Sequence, residues 1–276
     1  MRTALVQLCS GDDPTANLEQ TMGFVAQAAG QGARFVLTPE VTNCVSNSRS
    51  HQSEVLRHEA DDPTLAALRA QASDLGIWLL IGSLALKTDD SDGRFANRSF
   101  LIGPDGSIIA RYDKIHMFDV DVTPEETFRE SDGYRPGDRA VVADTPFGRV
   151  GMTVCYDIRF PHLHQALARA GARILTVPAA FSPVTGAAHW EPLLRARAIE
   201  NGCWVLAPAQ TGNHPISRGR PRRTHGHSLA VAPWGEVVVD AGTEPGVHIS
   251  DMDDKAVDEA RRRVPSLSHI RPFRGP

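Results

Sequence analysis

No apolar run in the sequence reaches the ~18 residues that a membrane-spanning helix needs, and polar residues interrupt the N-terminal segment too early for a signal peptide. Only four cysteines occur among 276 residues, which is too few for a disulfide scaffold. The net charge of −4 gives no indication of binding to nucleic acid or to an anionic membrane. These absences predict a protein of the reducing cytoplasm whose cysteines are free thiols and whose partners include neither nucleic acid nor membrane.

The chain predicts a single α/β domain over residues 1–276. Hydrophobic residues make up 41% and charged residues 22%, which is typical of globular proteins. The length would allow two domains, but no linker-like change of composition divides the chain. Short apolar strands alternate with helices, two of which begin at Asp13-Pro14 and Asp62-Pro63, where the aspartate is the predicted N-cap and the proline the first helical residue.

Three later segments refine this prediction. Residues 98–112 predict a β-hairpin, which favours mixed sheets over a purely parallel, doubly wound sheet. Residues 119–138 contain few apolar side chains and predict a long loop, and a loop of that length in a compact domain is usually functional or disordered. Residues 187–201 predict an amphipathic helix. Its predicted apolar side consists of Leu193, Leu194, Ala198 and Ile199.

Cys155 is the candidate nucleophile because it ends an apolar strand and precedes a predicted helix. A sharp turn at that place lifts a side chain out of the sheet and leaves the next backbone N–H free, so the N–H of Tyr156 is a candidate oxyanion donor. The alternative for any free cysteine is a small buried hydrophobic residue. Cys9, Cys44 and Cys203 fit that alternative.

A cysteine thiol needs a base, and none of the 11 histidines stands out as one. His225 and His227 lie two residues apart, but no further ligands complete a metal site, so we expect no metal. Glu40 and Lys114 each follow an apolar strand, as Cys155 does. A carboxylate can act as the base and a lysine can stabilise the thiolate and the oxyanion, although each residue taken alone also fits a surface charge.

These residues lie in three motifs that resemble those of the nitrilase superfamily of carbon–nitrogen hydrolases. The glutamate motif resembles residues 37–40 (LTPE), the lysine motif residues 112–119 (YDKIHMFD) and the cysteine motif residues 151–161 (GMTVCYDIRFP). The resemblance covers nearly the whole chain. It implies a four-layer α–β–β–α sandwich with two mixed β-sheets, a homodimer or higher homo-oligomer, and a tail of about 15 residues that packs on a neighbouring subunit.

The resemblance also implies roles for individual residues. Glu40 is the general base, Cys155 the nucleophile and Lys114 the oxyanion stabiliser. A second glutamate orients the lysine in many members of the superfamily. Glu130 is the preferred candidate for that role, while Glu125 and Glu126 are alternatives that better suit a solvated loop.

Within the superfamily the sequence looks most like the Nit branch, which contains omega-amidases and deaminated glutathione amidases. The implied substrate is a small amide that carries a carboxylate, and no cofactor is implied. Arg159 is a candidate ligand of that carboxylate or a structural ion-pair partner. The remaining implied substrate-binding residues are Tyr156, Ala180 and Phe181. The basic residues 218–223 suit a solvated loop or attraction of an anionic substrate.

Three other functions remain open at this point. Members of the same superfamily also hydrolyse N-carbamoyl amino acids or nitriles. A non-catalytic interaction protein on the same fold is the alternative from a different class, and the intact Glu40, Lys114 and Cys155 argue against it. A nicotinamide cofactor is not expected, because no Gly-x-Gly-x-x-Gly motif joins a strand to a helix.

Overall fold

The computed structural model describes residues 1–124 and 126–275. The α-helices of this part of the chain, numbered in chain order, are α1 (Pro14–Gly30), α2 (Arg49–Val55), α3 (Pro63–Leu75), α4 (Pro161–Arg169), α5 (Pro183–Asn201) and α6 (Lys255–Arg263). The strands are β1 (Arg2–Gln7), β2 (Phe35–Leu37), β3 (Trp78–Leu86), β4 (Ala96–Ile102), β5 (Ile108–Asp113), β6 (Asp119–Asp121), β7 (Thr127–Arg129), β8 (Val141–Ala143), β9 (Arg149–Met152), β10 (Ala172–Thr176), β11 (Trp204–Ala207), β12 (Thr211–Asn213), β13 (Arg223–His225), β14 (Leu229–Val231), β15 (Val237–Asp240) and β16 (Gly246–Asp251). None of the helices in the described residues has the length and apolarity that crossing a lipid bilayer requires.

Two six-stranded sheets form the centre of the molecule. The first has the strand order β16-β1-β2-β3-β4-β5 and the second the order β15-β14-β11-β10-β9-β8. Each sheet contains parallel pairs in its middle, such as β1 with β2 and β9 with β10, and antiparallel pairs at its edges. The predicted mixed sheets are therefore present.

The alternation of side chains along β1 shows how the layers pack. Leu5 points into the core between the two sheets, where it joins Met152 and other residues of the second sheet. Ala4 and Val6 point the opposite way, into a second core that the first sheet shares with α1 and α3. Helices α4 and α5 pack against the second sheet. The predicted four-layer α–β–β–α sandwich is thus confirmed.

The predicted helix starts are also present. The Asp13 side chain accepts a hydrogen bond from the Thr15 N–H at 2.9 Å, and the Asp62 side chain accepts one from the Leu65 N–H at 2.8 Å. Such caps satisfy N–H groups that have no partner within the helix. Gly76 ends α3 with a φ of 60°, a conformation that glycine adopts without strain.

Two local expectations were wrong, and one helix was not predicted. The predicted long loop contains the hairpin β6–β7, whose antiparallel pairing joins Asp119 to Arg129. Helix α2 had no apolar periodicity to reveal it, because its buried residues are the polar His51 and Gln52. Ile199, expected on the apolar side of α5, is 54% exposed, while Trp190 and Leu194 are buried on that helix.

Candidate active site

The turn that carries Glu40 follows β2 and is fixed by the neighbouring strand β3. A Cβ atom on Gly82 of β3 would come within 2.0 Å of the Thr38 carbonyl oxygen, so only glycine fits this close approach. Val41 has a φ of 46°, which is strained for a β-branched residue, and its N–H donates to the Ser83 hydroxyl at 2.8 Å. These contacts set the direction in which the Glu40 side chain leaves the backbone.

The Glu40 carboxylate is buried and accepts three hydrogen bonds from nitrogen donors. Its Oε1 accepts from Lys114 Nζ and from Asn97 Nδ2, both at 2.9 Å, and its Oε2 accepts from the Ala180 N–H at 2.9 Å. Burial alone would raise the pKa of Glu40, but the charges of Lys114 and Arg222 outweigh burial and hold the pKa below its ordinary value. Glu40 is therefore an ionised carboxylate that can accept a proton.

Lys114 directly follows β5, and its side chain is buried between two carboxylates. Its Nζ donates to Glu40 and also to both oxygens of Glu130, at 2.8 and 2.7 Å. Burial alone would lower the pKa of Lys114, but the charges of Glu130 and Glu40 raise it well above its ordinary value. The lysine is consequently a fixed positive charge, which is the kind of group that stabilises an oxyanion.

The glutamates considered as partners of the lysine differ in position. Glu130 contacts Lys114 and also accepts a hydrogen bond from the Phe118 N–H at 2.6 Å. Glu126 instead accepts a hydrogen bond from the Ser182 hydroxyl at 2.6 Å and lies in a cavity wall rather than in a solvated loop. Glu125 lies outside the described residues. Of the two described glutamates that were considered for this role, the structure brings Glu130 to the lysine.

We expect Glu130→Gln to lower kcat about tenfold or more, because the lysine loses one of the two charges that keep it ionised and oriented. Steady-state kinetics on any accepted amide measures this loss. Glu126→Gln is the matched control, because it neutralises a glutamate of the same segment that does not contact Lys114. An equal loss of kcat in both variants would contradict a specific role for Glu130.

Cys155 follows β9 and begins a 3₁₀ turn that runs to Arg159. Its φ of 49° is uncommon for a residue other than glycine, and its N–H donates to the Pro178 carbonyl at 2.9 Å. The fully buried Asp157 accepts a hydrogen bond from the Val154 N–H at 2.9 Å and so ties the turn to the strand before it. The positive φ and the sharp turn resemble a nucleophile elbow, as the position of Cys155 between a strand and a helix predicts.

The Cys155 thiol is buried and hydrogen-bonded to Glu40. Burial and the Glu40 charge raise the pKa of Cys155 well above its ordinary value, although Lys114 opposes this. The resting group is therefore a neutral thiol next to a carboxylate, and attack requires transfer of its proton. Tyr156 is the second residue of the 3₁₀ turn, so its N–H has no acceptor within the turn and suits the predicted role of oxyanion donor.

A cavity of about 790 Å³ opens above these groups, within the size range of small-molecule sites. Seven of the predicted site residues line it: Glu40, Lys114, Glu130, Cys155, Tyr156, Ala180 and Phe181. Arg159 is not in the lining. Its guanidinium group lies over the rings of Tyr156 and Phe181, at 5.8 and 5.6 Å from the ring centroids, and 3.3 Å from His189 Nδ1.

The basic loop contributes to the same cavity. Arg218 forms a salt bridge with Glu54 on the surface, whereas Arg220, Arg222 and Arg223 line the cavity. The described lining contains six cationic side chains and four carboxylates, so its net charge is positive. The cationic residues are Arg49, Lys114, Arg129, Arg220, Arg222 and Arg223, and the carboxylates are Glu40, Glu126, Glu130 and Asp132. This balance favours an anionic ligand.

Two polar residues of the site received no role from the sequence. Asn97 donates to Glu40 at 2.9 Å and to Glu130 at 3.4 Å. Arg98 and Ser99 follow it directly in β4, so no local pattern distinguished Asn97 in the sequence. Asp157 accepts a hydrogen bond from the Tyr112 hydroxyl at 2.7 Å and thereby links the lysine strand to the cysteine turn. It lies within the quoted cysteine motif, but nothing local indicated that its partner is distant in sequence.

Comparison with known proteins agrees with this geometry. The family described as carbon-nitrogen hydrolase matches residues 2–262. The chain belongs to the carbon–nitrogen hydrolase family. The predicted membership of the nitrilase superfamily, and the predicted enzyme class, are therefore confirmed.

Individual relatives show to which branch of the superfamily the chain belongs. A deaminated glutathione amidase of Yersinia enterocolitica is 45% identical over 97% of this chain and 92% of its own length. The omega-amidase NIT2 of Homo sapiens is 37% identical over 96% of this chain and 92% of its own. The crystal structure of the C. elegans NitFhit protein, of which this chain spans 65%, superposes on 98% of the chain with a TM-score of 0.90 and 34% identity. The chain is thus an amidase of the Nit branch, as the motifs predicted.

Proposed function

We propose that this amidase hydrolyses the C–N bond of a small amide that carries a carboxylate, through a thioester on Cys155. The substrate is deaminated glutathione or the omega-amide of a 2-oxo acid. The observation that supports this most directly is the buried contact of Glu40 with both the Lys114 ammonium group and the Cys155 thiol. This arrangement puts a base, a nucleophile and a cation within reach of one carbonyl group.

In the first half-reaction the thiol proton passes to Glu40 while the sulfur attacks the carbonyl carbon. A C–S bond forms, and the carbonyl π electrons move onto the oxygen. Lys114 and the Tyr156 N–H stabilise this oxyanion, and loss of a comparable donor costs about 10²–10³ in rate. The protonated Glu40 then gives its proton to the nitrogen as the C–N bond breaks, and an amine or ammonia leaves.

In the second half-reaction water hydrolyses the thioester. Glu40, again a carboxylate, accepts a proton from the water while the water oxygen attacks the carbonyl carbon of the thioester. The C–S bond breaks, the acid leaves, and the sulfur regains a proton from Glu40. A single carboxylate serves both half-reactions because its protonation state alternates. Each cycle ends with the proton on the sulfur, in agreement with the lowered pKa of Glu40 and the raised pKa of Cys155.

The positive balance of the cavity supports an acidic substrate. Both curated relatives described above are named for amides of this kind, deaminated glutathione and omega-amides. The volume of about 790 Å³ is large enough for either substrate. The proposal for the substrate rests on charge and size, because the catalytic residues themselves do not select the acyl group.

A substrate screen tests the proposal. Omega-amides release ammonia, deaminated glutathione releases a primary amine, N-carbamoyl amino acids release ammonia with CO₂, and nitriles release ammonia without an amine. We expect turnover of the first or second class at the highest kcat/KM. A preference for carbamoyl compounds or nitriles would replace the proposed substrate, and no turnover of either amide class would contradict it.

Arg159 lies outside the cavity lining but contacts two residues that line it, Tyr156 and Phe181. We expect Arg159→Lys to raise KM for acidic amides about tenfold and to leave KM for neutral amides unchanged, because a guanidinium group holds a carboxylate bidentately and an ammonium group does not. Kinetics on a matched acidic and neutral amide measure the difference. An equal change for both amides would assign Arg159 to structure, through its contacts with Tyr156, Phe181 and His189.

The homodimer or higher homo-oligomer stays a prediction, as does packing of the last 15 or so residues on a neighbouring subunit. Two apolar side chains of this tail support the prediction, because Phe273 is 89% exposed and Ile270 is 40% exposed on the single chain. Sedimentation analysis of the full chain and of a chain that ends at residue 261 measures the oligomeric state. A monomeric full chain would contradict the prediction.

A further inference from the structure

The segment 178–181 borders the active site, where Ala180 and Phe181 line the cavity, and the carbonyl groups of its four residues all accept hydrogen bonds. Backbone N–H groups hold three of these carbonyls: Cys155 binds Pro178, Gln210 binds Ala179 and His225 binds Phe181. The fourth carbonyl, that of Ala180, accepts a hydrogen bond from the Arg222 guanidinium group at 3.0 Å. Three of the four donors are backbone N–H groups, and the fourth is the charged side chain of Arg222.

Ala180 is also the residue whose N–H binds the general base. Its N–H donates to Glu40 Oε2 at 2.9 Å, while its carbonyl oxygen accepts from Arg222. The Ala180 N–H belongs to the 179–180 peptide, which the Gln210 N–H holds through the Ala179 carbonyl, and Arg222 holds the following 180–181 peptide. The two peptides meet at the Ala180 Cα, so a displacement of Ala180 would move the N–H that binds Glu40. The Arg222 backbone is itself anchored, because its carbonyl accepts a hydrogen bond from the His214 N–H at 3.0 Å.

We propose that Arg222 is a positioning residue for Glu40, which holds Ala180 by its carbonyl so that the Ala180 N–H stays aimed at the Glu40 carboxylate. The inference rests on the proposed role of Glu40 as the base. It differs from the substrate-attracting role considered for residues 218–223, because it makes Arg222 matter for neutral and acidic amides alike.

The charges that face Glu40 set the sign of the expected pH effect. Lys114 and Arg222 are the cations that lower the pKa of Glu40, the Cys155 thiol hydrogen-bonds to it, and Glu130 acts on it through the shared Lys114 and Asn97. Removing the Arg222 charge leaves Lys114 as the remaining cation of this set. The pKa of Glu40 then rises, so a higher pH is needed to ionise it.

The experiment compares Arg222→Met, Arg222→Lys and the control Arg262→Met. Arg262 is exposed on α6, away from the cavity lining, so the control removes the same charge elsewhere. The measurements are kcat and KM for one neutral and one acidic amide, and the pH profile of kcat/KM. We expect Arg222→Met to lower kcat about tenfold for both amides and to move the acid limb of the profile to higher pH. Arg222→Lys, which keeps the charge, restores the acid limb.

Two results would overturn the proposal. An effect confined to KM for the acidic amide would make Arg222 a ligand of the substrate carboxylate. If kcat and the pH profile are unchanged in Arg222→Met, Arg222 does not position Glu40.

A second measurement needs no amide substrate. The rate at which iodoacetamide alkylates Cys155, followed by mass spectrometry of its peptide, depends on whether Glu40 is ionised. We expect the acid limb of this rate to move to higher pH in Arg222→Met and to stay in place in Arg262→Met. Failure of the amidase proposal shows as no amide turnover in the wild type, while failure of the Arg222 proposal shows as an unmoved alkylation limb, so the two failures are distinguishable.

Discussion

Replacing Cys155 with alanine is expected to lower amide hydrolysis by on the order of 10⁴-fold or more, because no thioester can form without the sulfur. The variant should stay folded, since the backbone of residue 155 is held by the Pro178 carbonyl and the turn by Asp157. Activity is measured as kcat/KM, and folding as the thermal unfolding temperature. Mass spectrometry during turnover should detect an acyl adduct on the wild type and none on the variant.

Cys203→Ala is the matched control for this prediction. Cys203 is another buried free thiol, and burial raises its pKa to about 11 even though Arg261 lies close to it. It lies outside the cavity lining, next to β11. We expect this variant to retain wild-type kcat within about twofold, at a modest cost in stability. Retained activity in Cys155→Ala would overturn the assignment of the nucleophile.

Changing Glu40 to glutamine is expected to block acylation, with a loss of about 10²–10⁴ in kcat. Glutamine has nearly the same shape and keeps an oxygen for Lys114, but it cannot accept the thiol proton. Rapid-mixing experiments that follow release of the amine or ammonia test this directly. The wild type should give a burst of product or steady turnover, and the variant should give neither.

The pH dependence of the wild type follows from the same residue. Acylation needs ionised Glu40, and the pKa of Glu40 is held below its ordinary value of 4.5. The kcat/KM profile should therefore stay flat as the pH falls to that value, and should decline below it as Glu40 is protonated. A full burst from Glu40→Gln, or an acid limb near neutral pH in the wild type, would show that another group is the base.

Local chemistry in the sequence was enough to predict much of the fold. Asp13 and Asp62 mark helix starts because aspartate followed by proline satisfies the first turn of a helix whatever lies around it. The short apolar strands were found for a similar reason, since a strand buried on both faces reads as a continuous apolar run. Helix α2 and the hairpin β6–β7 were missed because their residues are largely polar, so no hydrophobic period distinguishes them from a loop.

Some residues of the candidate site could likewise be identified from the sequence, and others could not. Glu40, Lys114 and Cys155 were identified from the sequence because each follows a strand and lies in a specific motif. The choice of Glu130 over Glu126, and the contact of Arg222 with Ala180, required coordinates. Glu126 and Glu130 lie four residues apart in a polar segment, and their partners, Ser182 and Lys114, lie 56 and 16 residues away.

The motifs in the sequence by themselves determined the family and the three residues proposed to carry the chemistry, because motifs depend on residue type and spacing. The sandwich of two mixed sheets followed from the resemblance to that family. Only the tertiary structure decided the protonation states, because the pKa of Glu40 depends on its burial and on Lys114 and Arg222, which lie far from it in sequence. A charge interaction depends on the distance between the two groups and on their burial, and a local sequence pattern gives neither the distance nor the burial.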